Sequence, residues 1–253
     1  VAKTVAKPTP TKDQEIQAAA SPKKKQAKQP EVEACPKCEK SPELCVCAHI
    51  KAHQNNKVIL ILQHPQEPDH DLGTAKIAHL CLKNSHLKIG LSWRNLNHAL
   101  GLAKDSKPKV PKKWAVMYLG SGVRKIPKEF AKSQLLAVNK LGEGLPDSGK
   151  IIEQLEGIVL LDGTWSQAKT LWWRNAWLLK LHRVIARPQH PSLYKELRKE
   201  PRRECLSTIE SAALALEAMR ENAVIGRDLR ETFAALLDQK RKQGKPPAKQ
   251  PTS

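Results

Sequence analysis

The sequence predicts an α/β protein: a mostly parallel sheet flanked by helices, preceded by a small thiol-rich loop. Three observations carry that expectation. Six short aliphatic runs read as strands, and several are apolar without alternation, as strands buried on both faces are. Amphipathic stretches of helical period lie between them, the order that builds parallel sheets. The chain has 253 residues, enough for one sizeable core or a core plus a small module.

Residues 1–34 are rich in Lys, Ala, Gln and Pro and poor in large apolar side chains, and are expected to form a disordered basic arm. The arm has no apolar signal core and carries acids without Arg, so neither a secretory leader nor a transit peptide is expected. No apolar run approaches the roughly 18 residues that cross a bilayer, so no membrane partner is expected and a cytoplasmic location is the default.

Residues 35–56 are expected to be a metal loop. The stretch "CPKCEKSPELCVC" crowds Cys35, Cys38, Cys45 and Cys47 together. In a cytosolic protein such a cluster points to metal rather than to disulfides. Four thiolates make a closed tetrahedral zinc site with no place for water, so this zinc is expected to be structural and to contribute on the order of 10 kcal/mol to folding. A reducible disulfide pair, free thiols or an iron–sulfur cluster are the alternatives. Cys81 and Cys205 stand apart and read as core thiols.

Residues 57–238 form the body. Its strands are expected at "KVILILQ" (57–63), "KIGLS" (88–92), "WAVMYLG" (114–120), "QLLAVN" (134–139), "GIVLLDG" (157–163) and "HRVIA" (182–186). Helices are expected in "LGTAKIAHLCLKN", where Ala75, Ala78 and Leu82 share a stripe, and in "SQAKTLWWRN", which begins with polar residues suited to a helix start. In "LSTIESAALALEAMRENA", Ser207 and Glu210 have capping-box spacing, and Leu206, Ile209, Ala213 and Leu216 share a face. "DLRETFAALLDQ" continues with Leu229, Phe233, Leu236 and Leu237 at helical spacing. Residues 239–253 read as a basic disordered tail.

Lys and Arg number 44 against 25 Asp and Glu, a formal charge of +19. Such a surplus favours a polyanionic partner, with a solubilising surface as the bland alternative.

In parallel sheets ligands gather at the carboxyl ends of strands. The run "IVLLDGTWSQAK" puts an acid, a glycine and an indole at such an end. Gly163 would let the backbone approach a ligand, Thr164 or Ser166 would cap the next helix, and Trp165 offers a face for stacking. The alternative makes Asp162 or Thr164 a mere cap and Trp165 part of the core. "LQHPQE" ends another strand in His64, which is a ligand-facing group or a satisfied polar residue. "YLGSG" (118–122) is a Gly-rich turn after a third strand, and "LRKEPRRECLSTIE" gathers Arg198, Lys199, Arg202 and Arg203 ahead of a helix N-terminus. That cluster is a phosphate site or a solvated face.

Taken together and in this order, "CPKCEKSPELCVC", "LQHPQE", "LLDGTWSQAK" and "LRKEPRRECLSTIESAA" resemble the DTW-domain family of tRNA-uridine aminocarboxypropyltransferases. The resemblance covers roughly residues 35–237. The chain departs in having Gly73-Thr74 where relatives often have Asn-Thr, and "LGSG" where a Pro-Ser turn is common.

The resemblance implies a SPOUT-like, knotted α/β fold and a catalytic domain over 57–238. It also implies transfer of the 3-amino-3-carboxypropyl group of S-adenosylmethionine to N3 of a tRNA uridine, giving acp3U and 5′-methylthioadenosine. Asp162, Thr164 and Trp165 are then the expected catalytic residues, with Asp162 as base for N3–H or as a holder of the donor's amino group. Leu119, Gly120, Leu161, Gly163, Ser207, Thr208 and Glu210 are the expected S-adenosylmethionine contacts. His64, Arg198, Lys199, Arg202 and Arg203 are the expected tRNA contacts. A SPOUT-like RNA methyltransferase and a non-catalytic zinc-containing RNA-binding protein remain the alternatives.

Overall fold

The computed structural model describes residues 33–67, 71–117, 128–130, 132–194, 197 and 206–243. In chain order it runs β1 (Val58–Gln63), α1 (Ala75–Cys81), β2 (Ser85–Ile89), α2 (Leu96–Leu100), β3 (Trp114–Met117) and β4 (Leu135–Val138), followed by α3 (Ser148–Glu153), β5 (Gly157–Asp162), α4 (Trp165–Arg174), β6 (His182–Ala186), α5 (Thr208–Ala218) and α6 (Ala223–Gln243). The strands form one sheet in the order β2-β1-β5-β3-β6-β4. Every pair is parallel except β4, which closes the edge antiparallel to β6.

Five strands fall where the aliphatic runs placed them, although β3 is described only to Met117 and the rest of its run lies outside the described residues. The exception is β2, which occupies 85–89 rather than 88–92. It is an edge strand, covered less fully than β1, so its sequence alternates polar and apolar and does not read as a buried run. The short helices α2 and α3 were not expected. Helix α6 runs to Gln243, past the boundary expected at 238. Lys240, Arg241 and Lys242 in its last turn suit the negative end of the helix dipole, which is why a basic stretch reading as tail continues the helix.

Alternation along β1 and β5 sorts the core into two layers. Ile59, Ile61, Ile158 and Leu160 pack on α1, α5 and α6, whereas Leu60, Leu62 and Val159 pack with Trp114, Leu96 and Trp177 on the opposite face. Each fully buried Leu or Ile contributes roughly 1.5–3 kcal/mol, so the central strands are the firmest part of the molecule. Gly157 opens β5 where its neighbours leave no room. A Cβ there would lie 2.7 Å from the Trp114 ring and 2.8 Å from the Val58 carbonyl oxygen.

The thiol loop has a share in this core. Leu44 and Val46 are buried in the α5–α6 layer. Gln239 of α6 donates to the Cys45 carbonyl at 3.0 Å, and Thr232 donates to the His49 carbonyl at 3.0 Å. The loop is thereby docked along α6.

Candidate active site

Parallel pairing of β1 and β5 sets Gln63 beside Asp162 at the carboxyl ends of both strands. The ladder continues one step, with the His64 amide donating to the Asp162 carbonyl at 3.0 Å. Two of the singled-out motifs therefore meet by register, although Gln63 and Asp162 stand 99 positions apart in the sequence.

Asp162 continues the parity of Ile158 and Leu160, so its side chain lies on the α5 side of the sheet and is buried. Gln63 Nε2 donates to its Oδ2 at 2.8 Å, and the Thr208 hydroxyl donates to its Oδ1. Thr208 is the first residue of α5, so the third motif closes on the same carboxylate. Each carboxylate oxygen has two lone pairs, so one side chain can accept from several elements at once.

Thr164 caps α4 in a reciprocal capping box. Its hydroxyl accepts from the Gln167 amide at 3.4 Å, and Gln167 Oε1 accepts from the Thr164 amide at 2.6 Å. That amide also donates to Glu67 Oε1 at 3.1 Å, which ties the "LQHPQE" turn to the "DGTW" turn. Gly163 has φ +151°, and a Cβ on it would meet Gln167 Cβ at 2.9 Å and His64 Cβ at 3.4 Å. Glycine is required here for the two turns to interlock. Trp165 is half-buried rather than core, with Lys169 Nζ 5.7 Å from its ring centroid.

Ser207 and Glu210 form the capping box that their spacing predicted. The Glu210 carboxylate is buried and accepts from the Ser207 amide at 3.0 Å, the Ser207 hydroxyl at 2.6 Å, the Ser192 hydroxyl at 2.7 Å and the Leu193 amide at 2.8 Å. It pins the 192–193 segment to the start of α5. The Ile209 amide donates to buried Thr74 Oγ1 at 3.2 Å, which brings the start of α1 to the same place.

The structure separates one expected partner. Leu161 packs in the Trp114 layer, on the face opposite Asp162. His64 sits beside the corner, half-buried, and its Nδ1 accepts from the Gln66 amide at 3.3 Å. Leu119, Gly120, Arg198, Lys199, Arg202, Arg203 and Cys205 lie outside the described residues. Gln63 and Glu67, inside "LQHPQE", together with Thr74 and Lys40, join the site although the sequence assigned them no role there. Lys40 comes from the thiol loop and is 6 % exposed. Burial lowers its pKa, and the negative charges of Asp71, Cys38, Asp162 and Glu39 oppose that fall. The sign of that signal, a lysine set between thiols, was visible, but its destination was not.

The four cysteines converge. Their sulfurs all lie within 4.8 Å of one another, with Cys35–Cys47 at 3.6 Å and Cys38–Cys45 at 3.7 Å. A tetrahedral zinc with Zn–S near 2.3 Å sets its sulfurs about 3.8 Å apart, so the donor set fits that ion closely. The backbone amides of Cys38 and Lys37 help draw the Cys35 thiol down to about 6. Desolvation and the neighbouring sulfurs push Cys47 up to about 12. A bound cation would hold all four sulfurs as thiolates at neutral pH.

Among the described residues no helix is long and apolar enough to cross a membrane. A family model described as DTW domain matches residues 32–241. A tRNA-uridine aminocarboxypropyltransferase 2 from Macaca fascicularis is 28% identical over 207 residues, covering 80% of this chain and 61% of the relative. The protein of the same name from Mus musculus is 26% identical over 209 residues, with the same coverage of 80% and 61%. The chain thus spans about 61% of the length of these curated relatives. No solved structure matches it.

Proposed function

Because the chain belongs to the DTW-domain family, we propose that it is a tRNA-uridine aminocarboxypropyltransferase. The observation that carries this reading is the Asp162 carboxylate, which stands at the end of β5 and takes bonds from Gln63 and Thr208, so that three separate motifs converge on one acceptor. A cap alone would not draw the ends of β1 and β5 and the start of α5 to one side chain.

The donor substrate is S-adenosylmethionine, which supplies an electrophilic carbon on its sulfonium. The reaction forms one bond from uridine N3 to the aminocarboxypropyl carbon, breaks that carbon's bond to sulfur and releases 5′-methylthioadenosine. The N3 proton has to leave. Asp162 receives it or orients the N3–H, because its lone pairs are aimed by two fixed donors. Thr164 holds the Glu67–Gln167 wall in place, and Trp165 offers the planar surface that an unstacked base requires. Gly163, Ser207, Thr208 and Glu210 shape the wall against which the donor is held, with Leu119 and Gly120 following β3, the parallel neighbour of β5. Holding the reacting atoms within about 3.5 Å and in line is where much of the rate enhancement arises.

The zinc reading belongs to the same proposal. Cys35, Cys38, Cys45 and Cys47 hold a structural Zn2+, and the loop 35–56 then braces the catalytic body that begins at 57. The sheet order β2-β1-β5-β3-β6-β4 is that of an α/β fold, and a SPOUT-like, knotted path for the chain rests on the family resemblance alone. The net charge of +19 supports tRNA as partner, and His64, Arg198, Lys199, Arg202 and Arg203 remain its expected contacts on the ground of the sequence alone; a cytoplasmic setting belongs to the same proposal.

The test is incubation with unmodified tRNA and S-adenosylmethionine, then mass analysis of nucleosides and spent donor. acp3U with methylthioadenosine is expected. S-adenosylhomocysteine would make the chain a methyltransferase, and tRNA binding without donor consumption would make it a binding protein.

A further inference from the structure

The segment that follows the acid corner has an unusual composition. Between Asp162 and Glu196 the sequence carries no acid, yet it contains Lys169, Arg174, Lys180, Arg183, Arg187 and Lys195. Four of the chain's six tryptophans, Trp165, Trp172, Trp173 and Trp177, lie in the same segment.

Helix α4 distributes these groups unevenly. Ala168 and Leu171 face the core. Trp165, Lys169 and Trp173 follow one another at four-residue steps along the outer face. Trp172 turns partly inward and carries the Arg183 guanidinium 5.3 Å from its ring centroid. Trp173 instead is 77% exposed, the most open large apolar side chain among the described residues. An indole so exposed is not needed by the fold, and this one lies on a stripe that starts at the acid corner and runs about 12 Å along the helix.

Beyond the C-terminal end of α4, where Trp177 and Lys180 follow in sequence, lies a concave surface whose lining does not include Trp173 itself. Ser92 Oγ donates to the Arg174 carbonyl at 3.1 Å, and the Trp93 amide donates to Asn175 Oδ1 at 2.8 Å. These bonds fix Arg94 beside the last turn of α4. From there opens a hollow of about 380 Å³, walled by Arg94, His98, Lys104, Lys109 and Lys180 with Trp177 among its apolar lining. No carboxylate lines it among the described residues, and the nearby Asp105 is exposed on the loop that supplies Lys104. Its volume falls within the roughly 300–1,000 Å³ of small-ligand sites.

We propose that the outer stripe of α4 and the basic hollow at its end form a track for a single-stranded tRNA segment flanking the target uridine, with a base stacked on Trp173 and a phosphate held by Arg94 and Lys180. The inference rests on the tRNA reading above. The chemistry is that of single-strand binding surfaces: planar faces stack on bases of any identity, and cations neutralise the backbone.

Binding of the full chain to unmodified tRNA, measured by anisotropy over a series of salt concentrations, tests the track. The Trp173→Ala variant is expected to bind about tenfold more weakly with an unchanged salt slope, because it loses stacking and no charge. The doubly substituted Arg94→Ala, Lys180→Ala protein is expected to weaken binding by about tenfold and to lower the log–log salt slope by about 1.4. Both should raise KM for tRNA more than they lower kcat, while S-adenosylmethionine affinity stays at the wild-type level. If both variants keep wild-type affinity and slope on a tRNA that the wild-type protein modifies, the track is wrong and the function stands. If both lose affinity as described but the wild-type protein yields no acp3U, the track stands and the function falls. Displacement of tRNA by an acidic polypeptide of equal charge, as effective as by single-stranded RNA, would overturn RNA as the occupant.

Discussion

Stripping the thiol loop of its metal should destabilise the whole domain. Leu44 and Val46 are 2% and 0% exposed within the α5–α6 layer, and the four sulfurs hold the turn that places them. If that turn opens, the two side chains lose roughly 1.5–3 kcal/mol each, or about 3–6 kcal/mol together. Domains of this size have only about 5–15 kcal/mol in total, and each kcal/mol shifts Tm by about 2–4 °C. A fall in Tm of roughly 6–24 °C on chelation, or in Cys38→Ser, is therefore expected. Metal content and thermal unfolding, followed in parallel under reducing conditions, provide the assay. Zinc affinity should also weaken as pH falls, since binding must displace protons from thiols such as Cys47, whose pKa stands at about 12, whereas Cys35 alone is drawn down to about 6. A purified protein without metal whose Tm is indifferent to chelator and to Cys38→Ser would refute this reasoning.

Gly157→Ala would push a Cβ between the Trp114 ring and the Val58 carbonyl, and a loss of about 1–3 kcal/mol in urea unfolding is expected, with no change if the strand can shift. Thr208→Val removes one donor to Asp162 while keeping shape. A fall in kcat of at least tenfold, with the urea midpoint changing by no more than a bond to a charged group accounts for, about 1.5–3 kcal/mol, is the expected outcome. His79, His86 and His182 have pKa values lowered chiefly by burial. The unfolded chain then takes up more protons than the fold, so this stability is present above about pH 6.5 and is lost as pH falls below it. His86→Gln should flatten the decline in urea midpoint between pH 7 and 5.5 relative to wild type, and parallel curves would remove this histidine from the effect.

The fold was legible where residues behave as groups. Strands β1, β3, β4 and β5, and β6 from Val184 on, announce themselves because their buried positions demand aliphatics, whereas β2 is only partly covered and its Ser-His-Leu-Lys-Ile run looks like loop. The capping box of Ser207 was readable because a cap is local chemistry, whereas at the start of α4 the sequence left Thr164 and Ser166 both open and the structure gives the cap to Thr164. The site was only half legible. Asp162 and Thr208 were found from their motifs, but Gln63 and Lys40 join them through strand register and loop docking, which no spacing in the sequence encodes. Leu161 was expected as a donor contact; its side chain packs on the face opposite Asp162, as the parity of adjacent strand residues requires. The track along α4 was missed because exposure of Trp173 depends on which helix face the core takes.

The most direct measurement is turnover of unmodified tRNA by wild type and Asp162→Asn, with S-adenosylmethionine affinity and zinc content determined on the same preparations. The account predicts acp3U and methylthioadenosine from wild type, and loss of most turnover in the variant with fold and metal retained. Wild-type turnover in Asp162→Asn would contradict it.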